Sequence, residues 1–405
     1  MRKNLFAAIG LFLLAAAAAF PGAAPPTSAQ APAARADWIM YVGTYTRAPS
    51  KGIYAYRFRS ATGEVTPLAV GGSPAVASAE VGLAAETENP SFLAVHPNQR
   101  FLYAVNEVSR YEGQEAGSVS AFAIDRATGT LTPLNRVSSR GGGPCHLSID
   151  ATGKWLFVAN YGGGSIAAFP VQEDGKLGEA SAFFQHDGSS VNKARQNGPH
   201  GHAVVVSPDN RFVLAADLGL DRVFAYRLDP KAGGLVEGDP PFSAIAPGSG
   251  PRHLGIRPDG RFAYVLNEML SSVGAYRYDV GRGTLEHVQT VSTLPEAFTA
   301  DNSGAEIAVH SSGNFLYTSN RGHDSIAIFR IDAEKGTLTA VDRVSTQGKT
   351  PRNFAIDPTG RFLVAANQNS GTLVIFRIDQ QTGNLTPTGA TVQVPSPVSV
   401  VFANP

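Results

Sequence analysis

The chain has 405 residues, enough for two average domains or one large all-β domain, and only 16% of them are charged. The formal net charge is zero and no basic stripe stands out, which argues against a nucleic-acid partner. Glycine (43) and proline (27) are frequent, as in many short strands joined by turns, and a single cysteine, Cys145, excludes an intramolecular disulfide.

The N-terminus reads as an export signal. Arg2 and Lys3 make a basic start, Leu5 to Phe20 is uncharged and apolar, Pro21 breaks the run, and Thr27-Ser28-Ala29 offers small residues for cleavage. The apolar run is shorter than the roughly 20 residues a spanning helix needs. The expected organisation is a signal peptide over residues 1–29, a linker over 30–37 and one domain over 38–405. The mature protein is then periplasmic or secreted, with no stable membrane insertion after signal removal.

Beyond the linker one unit recurs. It is clearest at 250–278, GPRHLGIRPDGRFAYVLNEMLSSVGAYRY. A short apolar run meets a Pro258-Asp259-Gly260-Arg261 turn. An alternating run from Phe262 to Leu266 ends in Asn267-Glu268, and a third run covers Val273 to Tyr278. These runs are too short for helices and Pro-Asp-Gly signals a turn, so the unit is strand, turn, strand, loop, strand. Phe101, Trp155, Phe212, Phe262, Phe315 and Phe362 open the second strands, spaced by about fifty residues as propeller blades are. A fourth strand follows a glycine turn, as in TGTLTPL (128–134) and KGTLTAV (335–341). One further unit is split. Trp38 to Tyr45, Gly52 to Arg59 and Glu64 to Val70 supply its second to fourth strands, and Val398 to Phe402 its first. The predicted fold is all-β: a seven-bladed β-propeller of four antiparallel strands per blade, its first blade closed by the C-terminal strand.

Let the strands of a blade be A to D from the axis outward. The start of A, the end of B, the B–C loop and the D–A connection share one face. The turns on the other face are short. The long connections, 108–117, 184–201 and 295–304, lie on the first face, so its central mouth is the predicted site.

Comparison between blades separates scaffold from site. Asn106, Asn160, Asp217, Asn267, Asn320 and Asn367 end strand B and read as backbone-binding Asx residues. The next position varies through Glu107, Tyr161, Leu218, Glu268, Arg321 and Gln368. So does the start of strand A, through Ser91, Cys145, His202, Arg252, Ala305 and Arg352, then Phe92, His146, Ala203, His253, Glu306 and Asn353. Strand residues alternate faces, so only one of each such pair is expected to point down the channel. His146, His200, His202, Arg252, His253, Glu268, Glu306, Arg321, Arg352 and Gln368 thereby gather at one mouth. The bland alternatives are a structural network of arginines with Glu268 and Glu306, and satisfied buried histidines at 146 and 253. Asp301-Asn302 fits no EF-hand or three-histidine spacing, and no glycine-rich loop joins a strand to a helix. Neither a metal nor another cofactor is expected. Cys145 reads as a small buried hydrophobe.

The runs NGPHGH (197–202), PRH (251–253), YVLNE (264–268), LYTSNRGHDSIAIF (316–329) and GKTPRNFAIDPTGRFL (348–363) resemble the bacterial lactonase family with a seven-bladed propeller. That family includes propeller-type 6-phosphogluconolactonases and, more distantly, carboxymuconate-lactonizing enzymes. The resemblance covers residues 38–405 and implies a polar site of one His, two Arg and one Glu. These roles fall here on His202 (or His200), Arg252, Glu268 and Arg321. His146, His200, His253, Glu306, Arg352 and Gln368 are the expected substrate-binding groups. The export signal departs from the family, because a sugar phosphate of central metabolism is a cytosolic compound.

The expected function is metal-independent hydrolysis of a sugar-type lactone, with a small lactone or anionic sugar acid as the partner. Fixed cations facing the developing oxyanion are worth about 3–4 kcal/mol per well-placed donor. Arg252 and Arg321 suit that role, and either Glu268 or His202 takes the proton from water. Two rival readings use the same groups: lactonization of a muconate-type diacid, and a periplasmic binding propeller without turnover.

Overall fold

The computed structural model describes Met1, residues 37–68 and residues 82–405. The expected signal peptide apart from Met1, and the linker apart from Asp37, lie outside the described residues. Seven antiparallel sheets succeed one another, and each innermost strand touches the next until the last meets the first. The chain is therefore a closed seven-bladed propeller, as the repeat count predicts.

The strands form where they do because each blade is covered on both sides. Strand B is buried over most of its length in every blade, and from end to end at Phe262–Asn267 and Phe362–Asn367. Seven apolar clusters fill the seven joints between blades. The two recurring signals, an aromatic opening strand B and a glycine before strand D, are one contact. Gly63 of the first blade turns at φ +79° above Phe362 of the seventh, where a Cβ would come 2.6 Å from the ring. Gly175 on Phe101 and Gly283 on Phe212 repeat the pairing. Only glycine supplies both the left-handed turn and the space.

The first blade closes as expected. Pro397–Ala403 pairs antiparallel with Asp37–Thr44 as its innermost strand. The C-terminal strand is also bonded to both neighbours: Val400 N–H donates to Asn353 Oδ1 at 2.9 Å, and Leu93 N–H to Ser399 Oγ at 3.1 Å. The outer strand of this blade differs from expectation. It comes in two pieces, Glu64–Pro67 and Leu83–Glu86, both paired with Gly52–Arg59. The predicted extension to Val70 lies outside the described residues. Among the described residues no helix is long and apolar enough to cross a membrane.

Candidate active site

Two local devices aim side chains at the mouth. The first is the Asx residue ending strand B. Asn160 Nδ2 donates to Ser139 O at 3.0 Å, Asn320 Nδ2 to Thr293 O at 3.2 Å and Asn367 Nδ2 to Thr346 O at 3.1 Å. Each bond ties the end of strand B to the preceding D–A connection, so the residue that follows is fixed at the mouth. In the fourth blade Asp217 takes this place, 2.6 Å from His186 Nδ1, and accepts His200 N–H at 2.8 Å.

The second device is a bulge at the start of strand A. The pairing register slips between Pro144 and His146, Gly201 and Ala203, Pro251 and His253, and Pro351 and Asn353. Cys145, His202, Arg252 and Arg352 are the extra residues. A bulge sets two residues opposite one and re-aims their side chains. The expected strict alternation therefore fails there: Arg252 Nη1 lies 3.3 Å from His253 Nε2, so both members of that pair meet.

Glu268 is the centre of the upper layer. Its Oε2 accepts from Arg252 Nε at 3.0 Å and from Arg321 Nη2 at 2.9 Å, and its Oε1 accepts from Arg195 Nη2 at 2.7 Å. Burial pushes this carboxyl up, but Arg321, Arg252 and Arg195 outweigh burial and hold it down at about 2. Arg252 also donates to Ala305 O of the next blade, and Arg321 Nη2 to Gly304 O of its own at 2.8 Å, so both guanidiniums are braced on the sixth blade. Arg321 Nε is buried and has no acceptor among the described residues.

His202 Nε2 stands 3.9 Å from Glu268 Oε2. Burial, then the positive charge of Arg252, lowers the imidazole well below its ordinary range, so it is neutral at neutral pH. Its Nδ1 is 3.6 Å from Cys145 Sγ, a thiol that burial pushes far up and keeps protonated. His200 is turned aside: its ring stacks on Tyr161 at 4.5 Å and its Nδ1 lies 2.9 Å from Tyr161 O. Of the two histidines in GPHGH, His202 is the one beside Glu268.

The other predicted residues divide three ways. His146, His253 and Glu306 form the adjoining layer one residue further along the inner strands, in contact with the first through Arg252 and His253. His253 Nδ1 is 2.9 Å from Glu306 Oε1, and His146 packs on His253 at 5.0 Å and on Phe92 at 4.1 Å between ring centres. Burial lowers both histidines and raises Glu306. Arg352 is half-buried, its guanidinium 5.3 Å from the Tyr45 ring centre. The ion pairs on Glu268 belong to Arg195, Arg252 and Arg321, and Arg352 forms none among the described residues. Gln368 opens instead onto a groove of about 320 Å³ with Arg47, Pro49, Asn369 and Ser396.

Two mouth residues escaped the sequence reading. Arg195 comes from the long D–A connection, whose residues have no counterpart in other blades. Tyr45 had a signal: it follows Thr44 at the end of strand B in the split blade, in register with Glu107 and Glu268.

Residues 39–402 match the family described as "Lactonase, 7-bladed beta-propeller". The chain is 40% identical over 317 residues to the 6-phosphogluconolactonase of Bacillus subtilis (strain 168), covering 78% of this chain and 84% of that one. It is 36% identical over 321 residues to the 6-phosphogluconolactonase of Formosa agariphila, covering 78% and 85%. Among solved structures it is similar to the periplasmic gluconolactonase of Pseudomonas aeruginosa, at 37% identity and TM-score 0.82, covering 91% of this chain and 99% of that chain. The matched span takes in every blade and the mouth they surround, and the chain belongs to the lactonase family of seven-bladed β-propellers.

Proposed function

We propose that the mouth hydrolyses a sugar-type lactone with water activated by His202, without a metal. The observation that carries this reading is the charge arrangement at Glu268: three guanidiniums on one carboxylate leave surplus positive charge beside a neutral imidazole. A lactone carbonyl becomes negative as water attacks it, and preorganised donors favour that state over the ground state. Arg321 and Arg252 face the carbonyl oxygen.

His202 Nε2 takes a proton from water as the oxygen bonds to the ring carbonyl carbon. The tetrahedral intermediate collapses with cleavage of the ring C–O bond, and the imidazolium returns its proton to the leaving oxygen, giving the hydroxy acid. Glu268, held ionised by its three guanidiniums, keeps them aimed and faces the transient imidazolium at 3.9 Å. Arg195 has a side chain 44% exposed and is held to Glu268 through one nitrogen, so it is the group an entering substrate displaces.

Acid release from glucono-1,5-lactone by the chelator-treated protein, followed with a pH indicator, tests the reading. A rate no faster than spontaneous hydrolysis across a panel of aldonolactones overturns it. Export is part of the same proposal, supported by the basic start and apolar run and by likeness to a periplasmic enzyme. N-terminal sequencing should find a mature chain beginning between about residues 24 and 37.

A further inference from the structure

The mouth has a second half that the proposed reaction leaves unused. Tyr45 follows strand B of the first blade, Glu107 follows that of the second, and Arg352 is the second residue of strand A of the seventh. Tyr45 donates its hydroxyl to Glu107 Oε2 at 2.9 Å. Burial raises that hydroxyl far above its ordinary range, so it keeps its proton and stays a donor. The Arg352 guanidinium lies over the same ring, 5.3 Å from its centre. Glu107 and Arg352 are each partly open to solvent, and neither forms an ion pair among the described residues. Both halves lie where strand B ends and strand A begins, on the same face of the ring and around the same central channel.

The two halves differ in chemistry. Around Glu268 three guanidiniums face one carboxylate. Around Tyr45 one carboxylate is matched by one guanidinium, with no surplus charge. An ionised carboxylate only accepts hydrogen bonds and a guanidinium only donates them. A sugar hydroxyl does both, so it satisfies Glu107 and Arg352 together. A phosphate only accepts. It can use Arg352, but it sets nearly two negative charges against Glu107.

We propose that Glu107 and Arg352 form a subsite for the uncharged hydroxyl tail of an aldonolactone, and that Glu107 is the residue that discriminates against a phosphorylated tail. The inference rests on the lactone reading above. It adds the orientation: the reacting carbonyl lies at the cationic half of the mouth and the hydroxyl tail at the neutral half.

Binding of the two product acids, D-gluconate and 6-phosphogluconate, tests the subsite without relying on turnover. Both carry the same carboxylate and differ only at the tail. Calorimetry on the wild-type protein should show tighter binding of D-gluconate. Glu107→Gln should weaken D-gluconate and strengthen 6-phosphogluconate, moving the ratio of their Kd values by about tenfold or more. Glu107→Asp, which keeps the charge, should retain the discrimination. An unchanged ratio in Glu107→Gln, equal losses for both acids, or no binding of either by the wild type overturns the proposal. Hydrolysis of glucono-1,5-lactone, run on the same samples, judges the hydrolase reading separately. A shifted binding ratio without turnover sinks that reading and leaves the tail subsite standing.

Discussion

Glu268 and Arg321 meet at 2.9 Å across the joint between the fifth and sixth blades, the carboxylate leaving one strand B and the guanidinium ending the next. Arg321 spends one nitrogen on Glu268 and Gly304 O and keeps its buried Nε free of any acceptor among the described residues. Arg321→Lys keeps the charge and removes the planar fork. Activity on the best lactone should fall by about 10²-fold or more with little change in Tm. A clear drop in Tm with normal turnover in the folded fraction would assign Arg321 to the scaffold alone.

The base is tested by a pair of variants. His202→Asn should lower kcat by about 10²- to 10⁴-fold, the usual contribution of a positioned base. Glu268→Gln also loses rate, because the three guanidiniums lose the carboxylate that aims them. Its residual activity should keep the acidic limb of the pH–rate profile, since that limb belongs to His202. If the limb disappears in Glu268→Gln and persists in His202→Asn, the assignment is reversed.

Arg195→Ala probes the residue that arches over the centre. Its side chain is 44% exposed and reaches Glu268 and Tyr161 from a long connection. The buried Glu268 keeps Arg252 and Arg321 when this half-exposed partner is removed, so Tm should fall only slightly. The kcat/KM should fall by about tenfold as the substrate loses a displaced cation that can rebind it. A rate equal to wild type on every lactone would make Arg195 a bystander.

Acid sensitivity should begin near pH 6.5. Burial, before any charge effect, holds His146, His202 and His253 below their ordinary value. Under about pH 6.5 the unfolded chain then binds more protons than the folded one, and stability falls as pH drops. The slope is up to about 1.4 kcal/mol per pH unit for each histidine. Glu268 acts lower: its folded value of about 2 lies under the ordinary 4.5, so its contribution is complete above 4.5 and is lost between there and about 2. Urea midpoints measured from pH 7 to 4 should decline from pH 6.5 downward. A midpoint flat to pH 5 would show that these histidines are not buried neutral.

Removing residues 396–405 takes out the innermost strand of the first blade. Val398, Ser399 and Val400 are buried there, and both neighbouring blades bond to the strand. The truncated chain exposes strand edges on an apolar joint and should aggregate or lose cooperative unfolding. An unchanged Tm would deny the closure.

The sequence by itself determined the propeller, the number of blades and the split closure. Those follow from local chemistry that repeats: a turn, an aromatic and the glycine packed above it, as in Phe362 and Gly63. It also named the loop-bearing face and the positions of Arg252, Glu268 and Arg321, because blade-to-blade comparison marks where side chains are free to vary. The tertiary structure decided which of these groups touch. Bulges let both Arg252 and His253 meet, against the alternation expected of a regular strand. Arg195 reaches Glu268 from a connection without a repeat to align it to. His202 and Glu268 carry opposite tasks in the proposed reaction because one is a desolvated imidazole beside the positive charge of Arg252 and the other a desolvated carboxylate among three cations. Sequence periodicity encodes strands and turns over a few residues. Protonation depends on distances between charges that the ring brings together from blades four, five and six, and those distances exist only after the ring has closed.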